Sequence, residues 1–307
     1  PDLKRALVSI RRESLAANYR LSYDILWWNQ DQEERANQFR GELLQVSQMH
    51  GVQQEAAQIV GLMPVRTTGQ RDDVLARLES LPALVEQTIA LLERGLREQV
   101  VQPRVTMAEV PQQVQNQMPE DPMAAPLLSW LEQLPRGTSA AERETVKRHA
   151  VALYREKVCP AYGELYRFMV EKYLPGCREG VSWRDMPDGQ EWYKYHVAYN
   201  TTTDLSPDQV FEIGMSEVRR IRGEMDRVIR ESGFTGDFGA FCEFLRTDER
   251  FFCKTANELL VTYRDIAKRV DPELARLFGR LPQTPYGVIP IPSYAEKSQT
   301  TAYYQPG

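Results

Sequence analysis

Apolar residues recur at intervals of three and four along most of the chain, which is the spacing of amphipathic α-helices. The clearest stripe starts at Ser206, which with Gln209 forms a capping box around Pro207, and the predicted helix ends near Gly233. The apolar positions of this helix are Val210, Gly214, Val218, Ile221, Met225 and Val228.

A second capping box, formed by Thr255 and Glu258, predicts another helix, and the pair at 271–272 predicts a short restart that ends near Gly279. The short connection predicts that these helices are antiparallel neighbours. The sequence therefore favours a mainly α fold, an array of amphipathic antiparallel helices.

Ser139 with Glu142 opens a longer helix, which Pro160 is expected to kink because an internal proline removes a hydrogen bond. Its predicted inner side consists of Val146, Ala150, Leu153, Val158, Leu165, Met169 and Tyr173.

Two upstream segments, 21–44 and 74–96, also have helical periodicity, and Pro82 is a candidate restart within the second. The segment 102–126 is rich in Gln and Pro, which predicts a loop or linker.

The pattern changes at 281–307, where four prolines fall within 281–292 and two short β-like stretches, at 288–289 and 302–304, predict a β-hairpin or edge strands. We therefore divide the chain into a helical region 1–135, a second helical region 136–280 and this β-like tail. A chain that finishes on unpaired strand-like residues is expected to continue into a further region.

Composition narrows the function classes. The 307 residues are 42% hydrophobic and 26% charged, which is typical of a globular protein, and the net charge of -5 argues against a nucleic-acid partner. No apolar run reaches the roughly 18 residues that would cross a bilayer. No feature of the sequence indicates the oligomeric state or the cellular compartment.

The four cysteines, Cys159, Cys177, Cys242 and Cys253, lack the CxxC spacing of a zinc knuckle and are expected to be free thiols. For an exported protein, a Cys159–Cys177 or Cys242–Cys253 disulfide stays open as the alternative.

Catalytic motifs are absent from the sequence. An HExxH zinc site needs two histidines one helical turn apart, yet His50, His149 and His196 are each followed by unrelated residues. There is also no GxSxG elbow, SxxK pair or phosphate-binding loop. The sequence predicts no metal ligand and no cofactor in these residues.

The most unusual composition is the aromatic run 192–200. It is either a packing surface or the wall of a substrate cleft, in which His196 and Tyr199 offer hydrogen-bonding groups. Tyr303 and Tyr304 carry the same two interpretations, since a tyrosine hydroxyl can also stabilise an oxyanion.

Several segments together resemble a bacterial family known as domain of unknown function 885. The most specific are TTTDLSP at 201–207, FGRLP at 278–282 and AYYQPG at 302–307. Weaker similarities lie at 21–24, 76–82, 195–200, 214–218 and 244–248.

The resemblance implies an N-terminal helical portion of a zinc-dependent, peptidase-like hydrolase of the gluzincin type. In the family, the segment like AYYQPG precedes a strand and a helix with an HExxxGHH-type motif, which this sequence does not contain. By that resemblance the intact protein would bind zinc, hydrolyse a peptide or similar amide, and place His196, Tyr199, Tyr303 and Tyr304 near its substrate. Export or envelope association is a further implication. The alternative is a non-enzymatic helical binding or scaffold protein with a groove.

Overall fold

A computed structural model describes residues 2–293, 296 and 302–304. These residues are mainly helical, which confirms the predicted fold class. They divide into two compact units, one made of the described residues up to Ser206 with 302–304, and one made of the described residues in Pro207–Glu296.

The helices of the first unit are α1 (Asp2–Val8), α2 (Ala17–Ala36), α3 (Val52–Leu62), α4 (Thr68–Glu98), α5 (Arg104–Met107), α6 (Val110–Gln115), α7 (Ala140–Leu153), α8 (Cys159–Phe168), α9 (Leu174–Gly176) and α10 (Gly189–Thr201). Those of the second are α11 (Pro207–Glu231), α12 (Phe238–Thr247), α13 (Ala256–Val270) and α14 (Leu274–Leu277).

Helix α4 is the long central element of the first unit, and its start is a full capping box. The Thr67 hydroxyl accepts from the Gln70 amide (3.2 Å), and the Gln70 side chain accepts from the Thr67 amide (3.1 Å). The helix continues through Pro82, so the expected restart there is wrong. Buried side chains on both sides of Pro82, including Leu78 and Val85, hold the helix in place and outweigh the hydrogen bond that the proline removes.

Helix α7 begins as predicted, with the Ser139 hydroxyl accepting from the Glu142 amide at 3.2 Å. It leads through a π-helical turn at Tyr154–Val158 into α8, and a second π turn at Met169–Tyr173 leads into α9. The helix thus passes Pro160 by a π turn. Of the predicted inner side, Val146 is half-buried and the other residues are buried.

The segment 102–126 is not a loop. It contains α5, α6 and a 3-10 turn at Pro122–Ala124, and Met107, Val110 and Val114 are fully buried. Its buried Gln113 donates to the carbonyl of Gln48, 65 positions earlier in the chain, at 3.0 Å. A polar composition therefore concealed a packed segment.

The predicted β-hairpin is wrong for the residues that the structure describes. Val288, Ile289 and residues 302–304 belong to no strand, and the only bridge among the described residues is an isolated one between Pro103 and Arg178. Prolines deprive the tail of backbone donors. Side chains anchor it instead, since Arg264 Nε donates to the Val288 carbonyl (3.1 Å) and the Tyr286 hydroxyl donates to the Ala267 carbonyl (3.0 Å).

The second unit has the predicted helices. The Thr255 hydroxyl accepts from the Glu258 amide at 3.1 Å at the start of α13, and a 3-10 turn at Asp271–Glu273 restarts the chain into α14.

Four phenylalanine rings pack against one another beside α12, with centroid distances of 5.1 to 6.0 Å. They are Phe234, Phe241, Phe244 and Phe251.

The cysteines are free, as expected. Cys159 and Cys177 stand at opposite ends of a continuous helical stretch, which at about 1.5 Å per residue separates them by roughly 27 Å. A disulfide needs Cα atoms within about 7 Å, so this pairing is impossible.

Among the described residues, none of the helices has the length and apolar character of a membrane span.

Candidate functional site

The aromatic run predicted from the sequence lies on α10, whose start is fixed by a tight turn. Residues Trp183–Asp185 form a 3-10 turn in which the Asp185 carboxylate accepts from the Ser182 amide at 3.1 Å. Gly189 opens α10 directly against this turn, and a Cβ on Gly189 would overlap the Trp183 carbonyl oxygen. Only glycine allows this approach, which places Trp183 beside the rings of α10.

Five rings form what we call the α10 aromatic cluster: Phe39, Trp183, Trp192, Tyr195 and His196. Trp183 meets Trp192 edge-on at 4.9 Å, and Phe39 stacks on Trp192 at 5.5 Å and 7°. His196 lies 4.7 Å from Trp183 and 5.6 Å from Tyr195. Stacked and edge-to-face pairs of this kind stabilise by about 0.5–1.5 kcal/mol each beyond the area they bury.

The cluster has an inner and an outer side. On the inner side Trp192 is buried against Leu43, Val100 and Met186, which form part of the hydrophobic core. The packing interpretation of the aromatic run is therefore correct for Trp192.

On the outer side the rings continue to the surface between α2 and α10. Tyr199 stacks on Trp28 at 5.2 Å and 27°, and Tyr195 lies 5.9 Å from Tyr199. The Tyr195 hydroxyl donates to the Gln32 carbonyl at 3.2 Å, which ties α10 to α2. Tyr199 remains 41% exposed, so the outer pair Trp28 and Tyr199 reaches the protein surface.

His196 is half-buried at the centre of the cluster. Its Nε2 atom is buried and has no hydrogen-bond partner among the described residues. Burial lowers the pKa of His196, so the ring is neutral at pH 7. A neutral imidazole has one donor and one acceptor nitrogen, and at Nε2 this hydrogen-bonding capacity is unused within the described residues.

The C-terminal end of α10 is strained. Thr202 adopts a left-handed conformation with φ 53°, which is costly for a β-branched residue. Around it the Thr201 hydroxyl bonds the Thr203 hydroxyl at 2.8 Å and donates to the Val197 carbonyl at 2.8 Å. Such strain often accompanies functional sites, and here it falls within the TTTDLSP segment.

The structure brings together two of the four predicted site residues. His196 and Tyr199 lie three positions apart on α10 and are linked through Tyr195. Tyr303 and Tyr304 are both exposed, and within the part of the chain that the structure describes neither shares a ring contact or hydrogen bond with α10. That these four side chains bind substrate stays a prediction.

A separate shallow cleft of about 400 Å³ lies between α4 and α7. Its best-defined feature is the buried Arg71, which ion-pairs with Glu142 and donates to the Thr68 hydroxyl at 3.0 Å. None of the residues that line this cleft belongs to the α10 aromatic cluster. The ion pair joins α4 to α7, which is a structural role.

The zinc implied by the resemblance does not fit the residues at hand. Within residues 2–293, 296 and 302–304, no three His, Cys, Asp or Glu side chains group as a metal site. We therefore assign no metal-dependent step to any of them.

The profile of a family described as Bacterial protein of unknown function (DUF885) matches residues 2–307. The chain belongs to the DUF885 family. The segments TTTDLSP, FGRLP and AYYQPG had indicated this family from the sequence alone.

A solved structure shares the fold of this DUF885 protein. It is the crystal structure of the "putative lipoprotein from Colwellia psychrerythraea", with a TM-score of 0.75 and 19% sequence identity. The similarity covers 82% of this chain but only 44% of that chain. The DUF885 chain thus spans less than half the length of this relative. No curated protein matches it.

Three residues of the site were not predicted from the sequence: Trp28, Phe39 and Trp183. Phe39 and Trp28 lie on or beside α2, more than 150 positions before their partners on α10. The one local signal is the cluster of aromatics at 23–28, which places Trp27 and Trp28 in the predicted helix without indicating what they face.

Proposed function

We propose that this chain is the helical, substrate-binding part of a longer, peptidase-like hydrolase. In this proposal the outer pair Trp28 and Tyr199, together with His196, holds part of a peptide substrate. The observation that carries the proposal is the exposed aromatic surface of α2 and α10, which is continuous with a rigid buried cluster.

The chemistry of this surface suits a peptide. Aromatic faces bind apolar side chains without losing much conformational entropy, since Trp28 and Tyr199 are already stacked. The neutral ring of His196 supplies hydrogen-bonding capacity to a backbone amide, and the Tyr199 hydroxyl adds a donor. These residues bind and orient, and the reacting groups would come from further chain.

The zinc, its ligands and the general base are likewise proposed for the longer protein, where a metal would polarise the amide carbonyl and activate water. The direct test is hydrolysis of a peptide library by the full-length gene product with and without a chelator. Chelator-sensitive cleavage is expected, and cleavage that survives metal removal would contradict a zinc enzyme.

Substrate binding by α10 has a matched control on the same helix. Tyr199 and Tyr193 are 41% and 45% exposed, but Tyr199 stacks on Trp28. If the outer pair contacts substrate, Tyr199→Ala in the full-length protein should raise KM about 2- to 10-fold with kcat unchanged. Tyr193→Ala should leave KM unchanged, and equal effects would exclude a specific role for the pair.

The second candidate is a non-enzymatic binding protein that uses the same surface. Peptide binding that depends on Tyr199, without any chelator-sensitive hydrolysis, would favour this candidate. For location, the description of the Colwellia relative as a "putative lipoprotein" supports a proposal of envelope association. Fractionation of cells that express the full-length gene tests it, and recovery only in the cytosol would contradict it.

A further inference from the structure

The second unit buries little apolar surface. Among its described residues, Ile229 is the single hydrophobic side chain that is buried, and the four phenylalanine rings beside α12 are half-buried or exposed. A unit of this size must bury far more apolar surface to offset the conformational entropy lost on folding, about 1–2 kcal/mol per residue for the backbone. The helices of this unit are therefore built to be covered.

The uncovered surface follows a regular pattern. One set of apolar positions, which we call the α11 seam, recurs at spacings of three and four from 211 to 228. It consists of Phe211, Gly214, Val218, Ile221, Met225 and Val228. The five side chains of the seam are all exposed. Helix α13 has the same spacing at Leu259, Tyr263, Ile266 and Val270, and these are exposed too.

The polar side of α11 carries ion pairs between residues of the same helix. Arg220 pairs with Glu224 at 2.8 Å, and Arg222 pairs with Asp226 at 3.2 Å, both one helical turn apart. A helix that pairs charges along its polar side and leaves a heptad-spaced apolar stripe open has the surface that another helix covers.

We infer that the α11 seam and the apolar face of α13 are an interface for amphipathic helices from further chain of the same polypeptide. The relative with the same fold supports this occupant, because more than half of its chain has no counterpart in these residues. Heptad-spaced apolar stripes fit helices rather than a strand or an extended peptide. The inference rests on the longer protein of the proposed function and is independent of its chemistry.

Methionine oxidation in the full-length gene product tests the interface with an internal reference. Met225 of the α11 seam and Met49 of the first unit are 44% and 46% exposed in this structure, so equal exposure predicts equal oxidation. If further chain covers the seam, Met225 should be oxidised several-fold more slowly than Met49. Equal rates in the full-length protein would overturn the inference.

A substitution pair on α11 supplies the second arm. Ile221→Glu places a charge in the seam, whereas Ser216→Glu places the same charge on the exposed polar side of the helix. In the full-length protein, only Ile221→Glu should lower the thermal midpoint and restore Met225 oxidation. Equal behaviour of the two variants would overturn the inference.

The occupant is identified by repeating the oxidation on the 307-residue chain. Met225 should then react as fast as Met49. Protection that appears only at high chain concentration, together with a dimer in light scattering, would show a second copy as the occupant instead. Protection at all concentrations would show that the chain covers its own seam. Chelator-sensitive hydrolysis is measured separately, so a loss of the proposed enzyme activity and a loss of the interface are distinguishable.

Discussion

Gly189 lies so close to the Trp183 carbonyl that adding one methyl group, in Gly189→Ala, tests the architecture of the candidate site. A Cβ at this position would overlap the Trp183 carbonyl oxygen and lie 2.7 Å from the carbonyl carbon, so both contacts are with backbone. No rotamer change relieves such a clash. Inserting a methyl group into a packed site of this kind costs about 1–3 kcal/mol. Alanine is the better helix former by up to about 1 kcal/mol, and less at a first helical position, so the variant is destabilised overall.

Gly189→Ala should also disturb the α10 aromatic cluster, because the displaced turn carries Trp183, which lies 4.9 Å from Trp192 and 4.7 Å from His196. The expected result is a lower urea midpoint with an unchanged m value, and altered tryptophan emission before unfolding.

Gly163→Ala is the matched control, since α8 leaves the space around that glycine open to 4 Å. It should stabilise the protein by about 0.5–1 kcal/mol through helix propensity alone. The two alanine variants should therefore shift the urea midpoint in opposite directions. A Gly189→Ala protein that unfolds at or above the wild-type midpoint would refute the close approach and, with it, the placement of Trp183.

Two further predictions concern buried polar groups. Tyr162→Phe removes a buried hydroxyl that donates to the Val52 carbonyl at 2.8 Å. The lost hydrogen bond should cost about 0.5–1.5 kcal/mol in urea unfolding, because this carbonyl lies in the first turn of α3 and keeps its helical amide partner. The exposed Tyr19→Phe should change stability by less than about 0.5 kcal/mol, and equal losses would contradict the role of the buried bond. Because burial lowers the pKa of His196, the unfolded chain binds a proton on this ring below its usual value of 6.5 while the folded protein does not. Stability is therefore lost as pH falls below about 6.5, and His196→Phe should show a smaller drop in thermal midpoint from about pH 7.5 to about pH 5.5. Identical drops would show that this histidine titrates normally.

Helices with a side-chain cap are the part of the fold that the sequence predicts well. Ser139 and Thr255 each accept a hydrogen bond from the amide three residues later, as the capping signature requires. A cap is a local interaction, because its two residues are only three positions apart in the sequence. The loop predicted at 102–126 was wrong because the buried Gln113 bonds to the distant Gln48 carbonyl, which no local pattern reveals.

In the candidate site, too, the sequence indicates the residues that are close together in the chain and misses their distant partners. His196 and Tyr199 are recognisable because the aromatic run is dense in one short segment. Their partners are not, since Trp28 reaches Tyr199 only after the chain has folded α2 beside α10. Trp192 is buried and Tyr199 is exposed because only Trp192 packs against the core residues Leu43, Val100 and Met186. Local composition does not encode this difference in burial.

The two prolines in the continuous helical stretch α7–α9 show how a sequence rule could predict its π turns. A helical proline clashes with the carbonyl four residues earlier, which belongs to Glu156 for Pro160 and to Glu171 for Pro175. Glu156 is the central residue of the π turn Tyr154–Val158, and Glu171 is the central residue of the π turn Met169–Tyr173. The two turns thus have the same register relative to their prolines. A wider i→i−5 turn at the clashing carbonyl lets the helix continue.

The apolar pattern does not mark the first of these turns. The buried residues Tyr154 and Val158 are four apart, as in a regular helix. The signal that the sequence carries is the proline itself, because its clash with the carbonyl four residues earlier falls at the centre of each π turn.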